Sequence, residues 1–179
     1  STAAAWVIYS GGLYMHGSLH TVMIYDVKDL LFTRSERFTL SIDGFTLAPG
    51  ERVAIVGPNG SCKTTFLRLL AFLETVTHCA HFRFRGEEVG ARRQGTDRRR
   101  GLGFLKQQPH LFMGSVRQNL AYPLTLRRCP AAERRQRVDA MLELVDLAGH
   151  AETSVRRLSG GEQKRLALGR VLIGAPDVL

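Results

Sequence analysis

Gly57, Pro58, Asn59, Gly60, Ser61, Cys62, Lys63, Thr64 and Thr65 follow the apolar run at residues 53–56 and lead into Phe66, Leu67, Arg68, Leu69 and Leu70. A buried strand that turns into a helix through such a loop aims backbone N–H groups and the positive end of a helix dipole at an anion. In that arrangement Lys63 reaches the β- and γ-phosphates of a nucleotide, and the Thr64 hydroxyl holds Mg2+. The usual pattern places glycine immediately before the lysine, and Cys62 stands there instead. Glycine at such a point permits positive φ and close approach of backbone to phosphate. If φ is positive, a cysteine costs about 1–2 kcal/mol in backbone strain and its sulfur crowds the phosphate, so weakened nucleotide binding is expected.

A second segment has the same chemical character. Ser159, Gly160, Gly161 and Glu162 open a helical pattern, presenting unpaired N–H groups and a hydroxyl with no side-chain bulk ahead of them. Taken alone, this is an ordinary helix N-cap. Between the two segments, Gln107 sits after the apolar stretch 102–105 and before Pro109, Leu111 and Phe112.

The order and spacing of the three segments resemble those of the ATP-binding-cassette (ABC) ATPases. Leu158, Ser159, Gly160, Gly161, Glu162, Gln163, Lys164 and Arg165 match that family's signature sequence, roughly 100 residues after the phosphate loop. Leu105, Lys106, Gln107, Gln108 and Pro109 resemble its Q-loop, although Lys106 replaces the usual apolar or aromatic residue. The likeness extends over about residues 23–179, and the segments around Leu69 to Glu74 and Leu111 to Leu120 look like those of bacterial importer ATPases.

The resemblance implies ATP and Mg2+ as cofactors. Residues 57–65 would bind the nucleotide together with Ser159, Gly160, Gly161 and Glu162 of another copy. Thr64 and Gln107 would serve the metal, and Gln107 would also contact the attacking water. It further implies a head-to-tail dimer with a second ATPase protomer, and a transmembrane permease as partner. The activity would be ATP hydrolysis as the energy-coupling subunit of a transporter, peripheral on the inner, cytoplasmic face of the cell membrane. Arg34 falls where the family usually stacks an aromatic ring on adenine, with Phe32 and Phe38 as neighbours. Residues 174–179 match the entry to the strand that carries the family's metal-supporting aspartate and catalytic glutamate. Neither those residues nor the later histidine is present, and Asp177 and Glu162 occupy other motif positions. The 179 residues by themselves are therefore expected to hydrolyse ATP negligibly.

These motifs require a scaffold, and the pattern supplies an α/β one. Phe38, Leu40 and Ile42 alternate with polar residues, Phe45 and Leu47 repeat the period, and residues 82–85 alternate again. Val138, Met141, Leu142 and Val145 form a helical stripe. The expected architecture is a P-loop NTPase-type core with an N-terminal antiparallel β-layer and an inserted α-helical subdomain at about 115–157. The resemblance implies that this is the ABC ATPase fold, incomplete at its C-terminal end, and the pattern adds a further helix from about Gly160 to Ile173. Residues 22–179 form this partial domain, while 1–21 show no periodicity and read as an unstructured or appended segment. Residues 102–105 read as one more core strand, with Phe104, Leu105 and Phe112 in the core.

Composition narrows the partners. The chain is 44% hydrophobic and 23% charged, as globular domains are, and has no apolar run of the roughly 18 to 20 residues needed to span a bilayer. Cys62, Cys79 and Cys129 share no metal-ligand spacing and read as free thiols of a reducing compartment. The net charge of +9 sits in arginine clusters without interleaved aromatics, which favours a solvated basic surface over direct nucleic-acid binding. His78, His81, His110 and His150 read as solvated or satisfied. Two rival readings remain at this level: a soluble ABC ATPase acting on DNA or ribosomes, and a degraded, non-catalytic copy.

Overall fold

The computed structural model describes residues 6–8, 22–35, 38–90, 96–108 and 110–179, and the chain divides into two units, 1–95 and 96–179. The first unit is built on a four-stranded antiparallel sheet. Strands β2 (Tyr25–Ser35) and β3 (Phe38–Leu47) form its long hairpin, and β5 (His81–Phe84) and β6 (Glu87–Glu88) complete the order β3-β2-β5-β6. Alternation puts Tyr25 and Val27 inside, then shifts phase so that Leu30 and Phe32 are inside. The shift occurs at Asp29, whose φ is +49°, and β3 shifts with it: Val27 opposes Phe45, and Leu30 opposes Ile42. Both strands slip phase together, so register survives and the buried face stays continuous.

Helix α1 (Lys63–Leu70) presents Phe66, Leu69 and Leu70 at helical spacing, and all three are buried. The Phe45 and Phe66 rings meet edge-on at 5.2 Å, and the Tyr25 hydroxyl donates to the Leu70 carbonyl at 2.8 Å. The antiparallel layer thereby fixes the helix that follows the loop at residues 57–62.

The strand entering that loop, β4 (Ala54–Val56), pairs antiparallel with β1 (Trp6–Ile8), Trp6 opposite Val56 and Ile8 opposite Ala54. Trp6–Ile8 therefore differs from the expectation of a segment without strand structure. A three-residue strand is too short to show a period, and backbone pairing alone defines it. The other residues of 1–21 lie outside the described residues. β4 is also less enclosed than its apolar run suggested, with Val56 50% exposed, because β1 is its one partner among the described residues.

The second unit begins with the short helix α2 (Thr96–Arg99) and is dominated by α3 (Val116–Leu126), α4 (Ala131–Leu144) and α5 (Gly160–Leu172). Single 3-10 turns lie at Ala148–His150 and Val155–Arg157. The helices enclose one core of Val116, Leu120 and Leu124 from α3, Val138 and Leu142 from α4, and Leu166 from α5. A Cβ on Gly169 would lie 2.9 Å from Val145 Cγ1 and 3.2 Å from Leu120 Cδ2, so glycine is what lets α5 approach this closely. Pro123 lies within α3 rather than ending it, since Leu120 and Leu124 are buried on either side.

Residues 102–105 do not form the expected core strand. Leu102 makes a single parallel bridge with Val178, and Leu105 and Phe112 are exposed (43% and 47%) rather than in the core. The segment is apolar but lacks a period of 2, and an apolar residue can remain outside when no face recruits it.

Three arginines end helices, among them Arg137 of the clusters expected to form a solvated surface. Arg137 donates to Ile173 O at 2.7 Å, Arg127 reaches Gly174 O, and Arg165 donates to Val145 O at 3.0 Å. Each places a cation at a helix C-terminus, where unpaired carbonyls and the negative end of the dipole attract it.

Candidate functional site

The first unit places residues 57–62 between β4 and α1, and the loop is organised around Lys63. Its ammonium donates to Gly57 O at 2.8 Å, Pro58 O at 2.7 Å and Ser61 Oγ at 3.2 Å. Three donors meet three oxygens, so the loop is closed on its own lysine. Ser61 is 3% exposed and its amide donates to Pro58 O at 3.2 Å. Gly60 has φ +85°, a value glycine adopts without cost. Pro58, Asn59, Gly60 and Thr64 are exposed; Gly57, Cys62, Lys63 and Thr65 are half-buried.

Cys62 is the N-cap of α1 with φ +64° and ψ 15°, the left-handed conformation in which a Cβ is strained. Its side chain makes no capping bond to the helix; the sulfur lies 3.5 Å from Gly60 O. The carbonyl of Cys62 accepts from the Phe66 amide at 2.9 Å, so the helical ladder starts despite the substitution. Arg34, on β2, donates to Glu74 at 2.7 Å, and its guanidinium carbon is 5.8 Å and 6.0 Å from the Phe32 and Phe38 ring centres. Glu74 also holds Arg68. His81 contacts the Asp26 carboxylate at 2.8 Å, a pair made by the β2–β5 register rather than by sequence proximity.

In the second unit, Gln107 and Gln108 are exposed in a bend, and Lys106 just before it is exposed too; Pro109 lies outside the described residues. The segment after it is anchored by Asn119 and Arg170, neither of which the sequence reading singled out as functional. Asn119 is 1% exposed. Its Oδ1 accepts from Phe112 N at 2.9 Å, and its Nδ2 donates to Phe112 O at 2.9 Å and Ser115 O at 3.0 Å. Arg170 donates to His110 O at 2.6 Å and lies over the Phe112 ring at 4.8 Å. Burial lowers the Arg170 pKa. A buried asparagine beside leucines at helical spacing was the available signal, but its partners are tertiary.

Ser159 is the N-cap of α5, where it and Glu162 form a reciprocal capping box. Ser159 Oγ accepts from the Glu162 amide at 3.3 Å, while Glu162 Oε2 accepts from Ser159 N at 2.7 Å and Ser159 Oγ at 2.8 Å. Bonds from the serine hydroxyl and then its amide hold the Glu162 carboxyl below the usual glutamate range. The ladder of α5 starts with Gln163 N donating to Ser159 O at 2.9 Å, which leaves the amides of exposed Gly160 and Gly161 ahead of it. A Cβ on either glycine would meet nothing within 4 Å. Those two glycines thus preserve open approach to a helix N-terminus rather than relieve crowding.

The family described as ABC transporter matches residues 40–179. The lipoprotein-releasing system ATP-binding protein LolD of Pseudomonas fluorescens is 42% identical over 137 residues, covering 74% of this chain and 60% of that protein. The Fe(3+) ions import ATP-binding protein FbpC of Vibrio cholerae is 42% identical over 131 residues, covering 73% of this chain and 36% of that protein. The chain thus spans 60% or less of the length of these curated relatives. Among solved structures, cbiO1 from Clostridium perfringens, part of the ABC transporter complex cbiONQ, superposes with a TM-score of 0.76 at 26% identity, over 86% of this chain and 62% of that one. The α/β arrangement of antiparallel sheet and helices is that of the ABC ATPases, and the chain belongs to the ABC transporter family.

Proposed function

We propose that this chain binds ATP as the energy-coupling subunit of an ABC transporter, peripheral to the cytoplasmic face of a membrane and docked on a permease. The reading is carried by one observation: a strand, a loop closed around an ammonium, and a helix N-terminus follow one another over residues 54–70. Among the described residues no helix is long and apolar enough to cross a membrane, which agrees with a subunit that reaches the bilayer through a partner.

Residues 57–65 cradle the phosphates with their amides, and Lys63 exchanges Gly57 O and Pro58 O for β- and γ-phosphate oxygens. By the family resemblance Thr64 and Gln107, each exposed in its own unit, would serve Mg2+, a hard cation that prefers oxygen ligands. When bound, Mg2+ neutralises charge on the phosphates. Ser159, Gly160, Gly161 and Glu162 form the surface presented to the nucleotide of a second copy, so that ATP holds two protomers head to tail. Gln107 would help to place the water and the metal on which the family's hydrolase activity depends. The Cys62 strain weakens nucleotide binding without abolishing it.

Titration of the chain with MgATP by calorimetry tests the proposal. Lys63→Ala should lower affinity at least about tenfold, since a charge-assisted phosphate contact is lost. Equal affinities would refute phosphate binding at this loop.

A further inference from the structure

Glu162 Oε2 accepts two hydrogen bonds from the same residue, the amide of Ser159 at 2.7 Å and its hydroxyl at 2.8 Å. A carboxylate can only accept, and a hydroxyl has one proton to give. The Ser159 proton is therefore committed to Glu162, while the hydroxyl oxygen accepts from the Glu162 amide at 3.3 Å. An anion arriving at the start of α5 finds the Gly160 and Gly161 amides, but it finds the hydroxyl engaged and a negative charge beside it. Compensation of that charge is partial. His150 Nε2 stands 3.6 Å from Glu162 Oε1 and is cationic only when protonated. Arg165 attracts the carboxylate from farther away, with its Nε spent on Val145 O and its fork 3.9 Å from Asp146.

We infer that Glu162 is a positioning residue that sets how readily α5 accepts the terminal phosphate of a nucleotide held by a second copy. It does so by withholding the Ser159 hydroxyl and placing a carboxylate next to the phosphate. The inference rests on the ATP-bridged reading proposed above. Engagement then requires the Ser159 hydroxyl to rotate from Glu162 to the phosphate, a trade between two anions rather than the filling of a vacant donor. A glutamine at 162 would keep the cap, because its amide oxygen accepts the same two bonds. As a neutral acceptor it would hold the hydroxyl less strongly, and it would not repel phosphate.

The test is sedimentation velocity of the whole chain over a series of MgATP concentrations. Glu162→Gln should reach half-association at about threefold lower ATP than the unmodified chain. His150→Ala, which leaves the cap intact and removes partial compensation, should need more ATP at pH 6. A purely structural role for the cap predicts neither the gain in Glu162→Gln nor the loss in His150→Ala. If Glu162→Gln folds, a midpoint equal to or above that of the unmodified chain overturns the inference while leaving the ATP-bridged reading in place. If it does not fold, an unchanged midpoint for His150→Ala at pH 6 does the same. Absence of MgATP-dependent association in the unmodified chain and in both variants overturns the reading itself and the inference with it.

Discussion

Lys63 Nζ lies 2.7 Å from the carbonyl oxygen of Pro58, five residues earlier on the same loop. With Gly57 O and Ser61 Oγ as further acceptors, the ammonium ties both ends of the loop to the first turn of α1. The residue proposed to bind phosphate therefore also organises the loop without it. Binding becomes an exchange of carbonyl for phosphate oxygens at one cation, which costs less than ordering a slack segment.

The first prediction concerns that second role. In Lys63→Met, the Ser61 amide, now bonded to Pro58 O at 3.2 Å, should exchange its hydrogen several times faster, while amides within α1 keep their protection. Site-resolved hydrogen exchange reads this directly, and uniform protection in both proteins would show that the loop does not need its lysine.

A second prediction follows from Cys62. At φ +64° the left-handed conformation carries a Cβ penalty that glycine lacks, and the thiol makes no capping bond to offset it. Cys62→Gly should stabilise the fold by up to about 1 kcal/mol and tighten MgATP binding severalfold. Denaturant midpoints measure the first effect and nucleotide titration the second. Tighter folding with unchanged ATP affinity would confine the consequence of the cysteine to backbone strain.

What could be read from sequence divides along a physical line. The loop at residues 57–62 and the start of α5 depend on local chemistry, glycines at fixed offsets from a lysine or a serine, so residues 57–65 and 159–162 were visible as candidates, and they adopt a strand-to-helix turn and an N-cap. The stripe from Val138 to Val145 was equally visible, because burial on one helix face imposes a period. Asn119 and Arg170 were not, since a buried amide acquires meaning only from partners, here Phe112 and His110, that folding delivers. Nor was the phase slip at Asp29, where local alternation breaks and only the pairing of β2 with β3 shows that both strands break together.

The third prediction uses the Tyr25 hydroxyl. It is buried against α1, donates to Leu70 O at 2.8 Å, and desolvation pushes its pKa well above the ordinary tyrosine value of about 10. A group whose folded pKa is raised contributes stability that is complete below the unfolded pKa and declines as pH rises towards the folded one. Stability of the first unit should thus fall progressively above about pH 10, where the unfolded chain ionises and the folded one does not. Tyr25→Phe should cost about 1 kcal/mol at neutral pH and flatten that alkaline decline. Urea unfolding at several pH values from neutral to strongly alkaline separates the two effects, and a parallel decline in both proteins would assign the alkaline loss to other groups.

The last prediction places Asn119 at the centre of the segment that follows Gln107. Its side chain spends both amide protons and its oxygen on Phe112 and Ser115, and it does so while almost wholly buried. Replacing it with leucine supplies volume but no side-chain hydrogen bonds, leaving Phe112 N and Phe112 O without the partners that Asn119 provides, while Ser115 O keeps the backbone amide of residue 119 at 3.1 Å. Unmet buried polar groups cost about 1–3 kcal/mol each, and relaxation of residues 110–115 toward water recovers part of that. Asn119→Leu should therefore destabilise the second unit by about 2 kcal/mol. Arg170, which holds His110 O and lies over the Phe112 ring, should lose its alignment as residues 110–115 move. Asn119→Asp separates hydrogen bonding from packing, because it keeps the acceptor for Phe112 N and for Arg170 Nη1, 3.5 Å away, but loses both donors, so it too should destabilise the second unit. Were leucine tolerated within a few tenths of a kcal/mol, the clasp on Phe112 would be a consequence of the fold and not one of its supports.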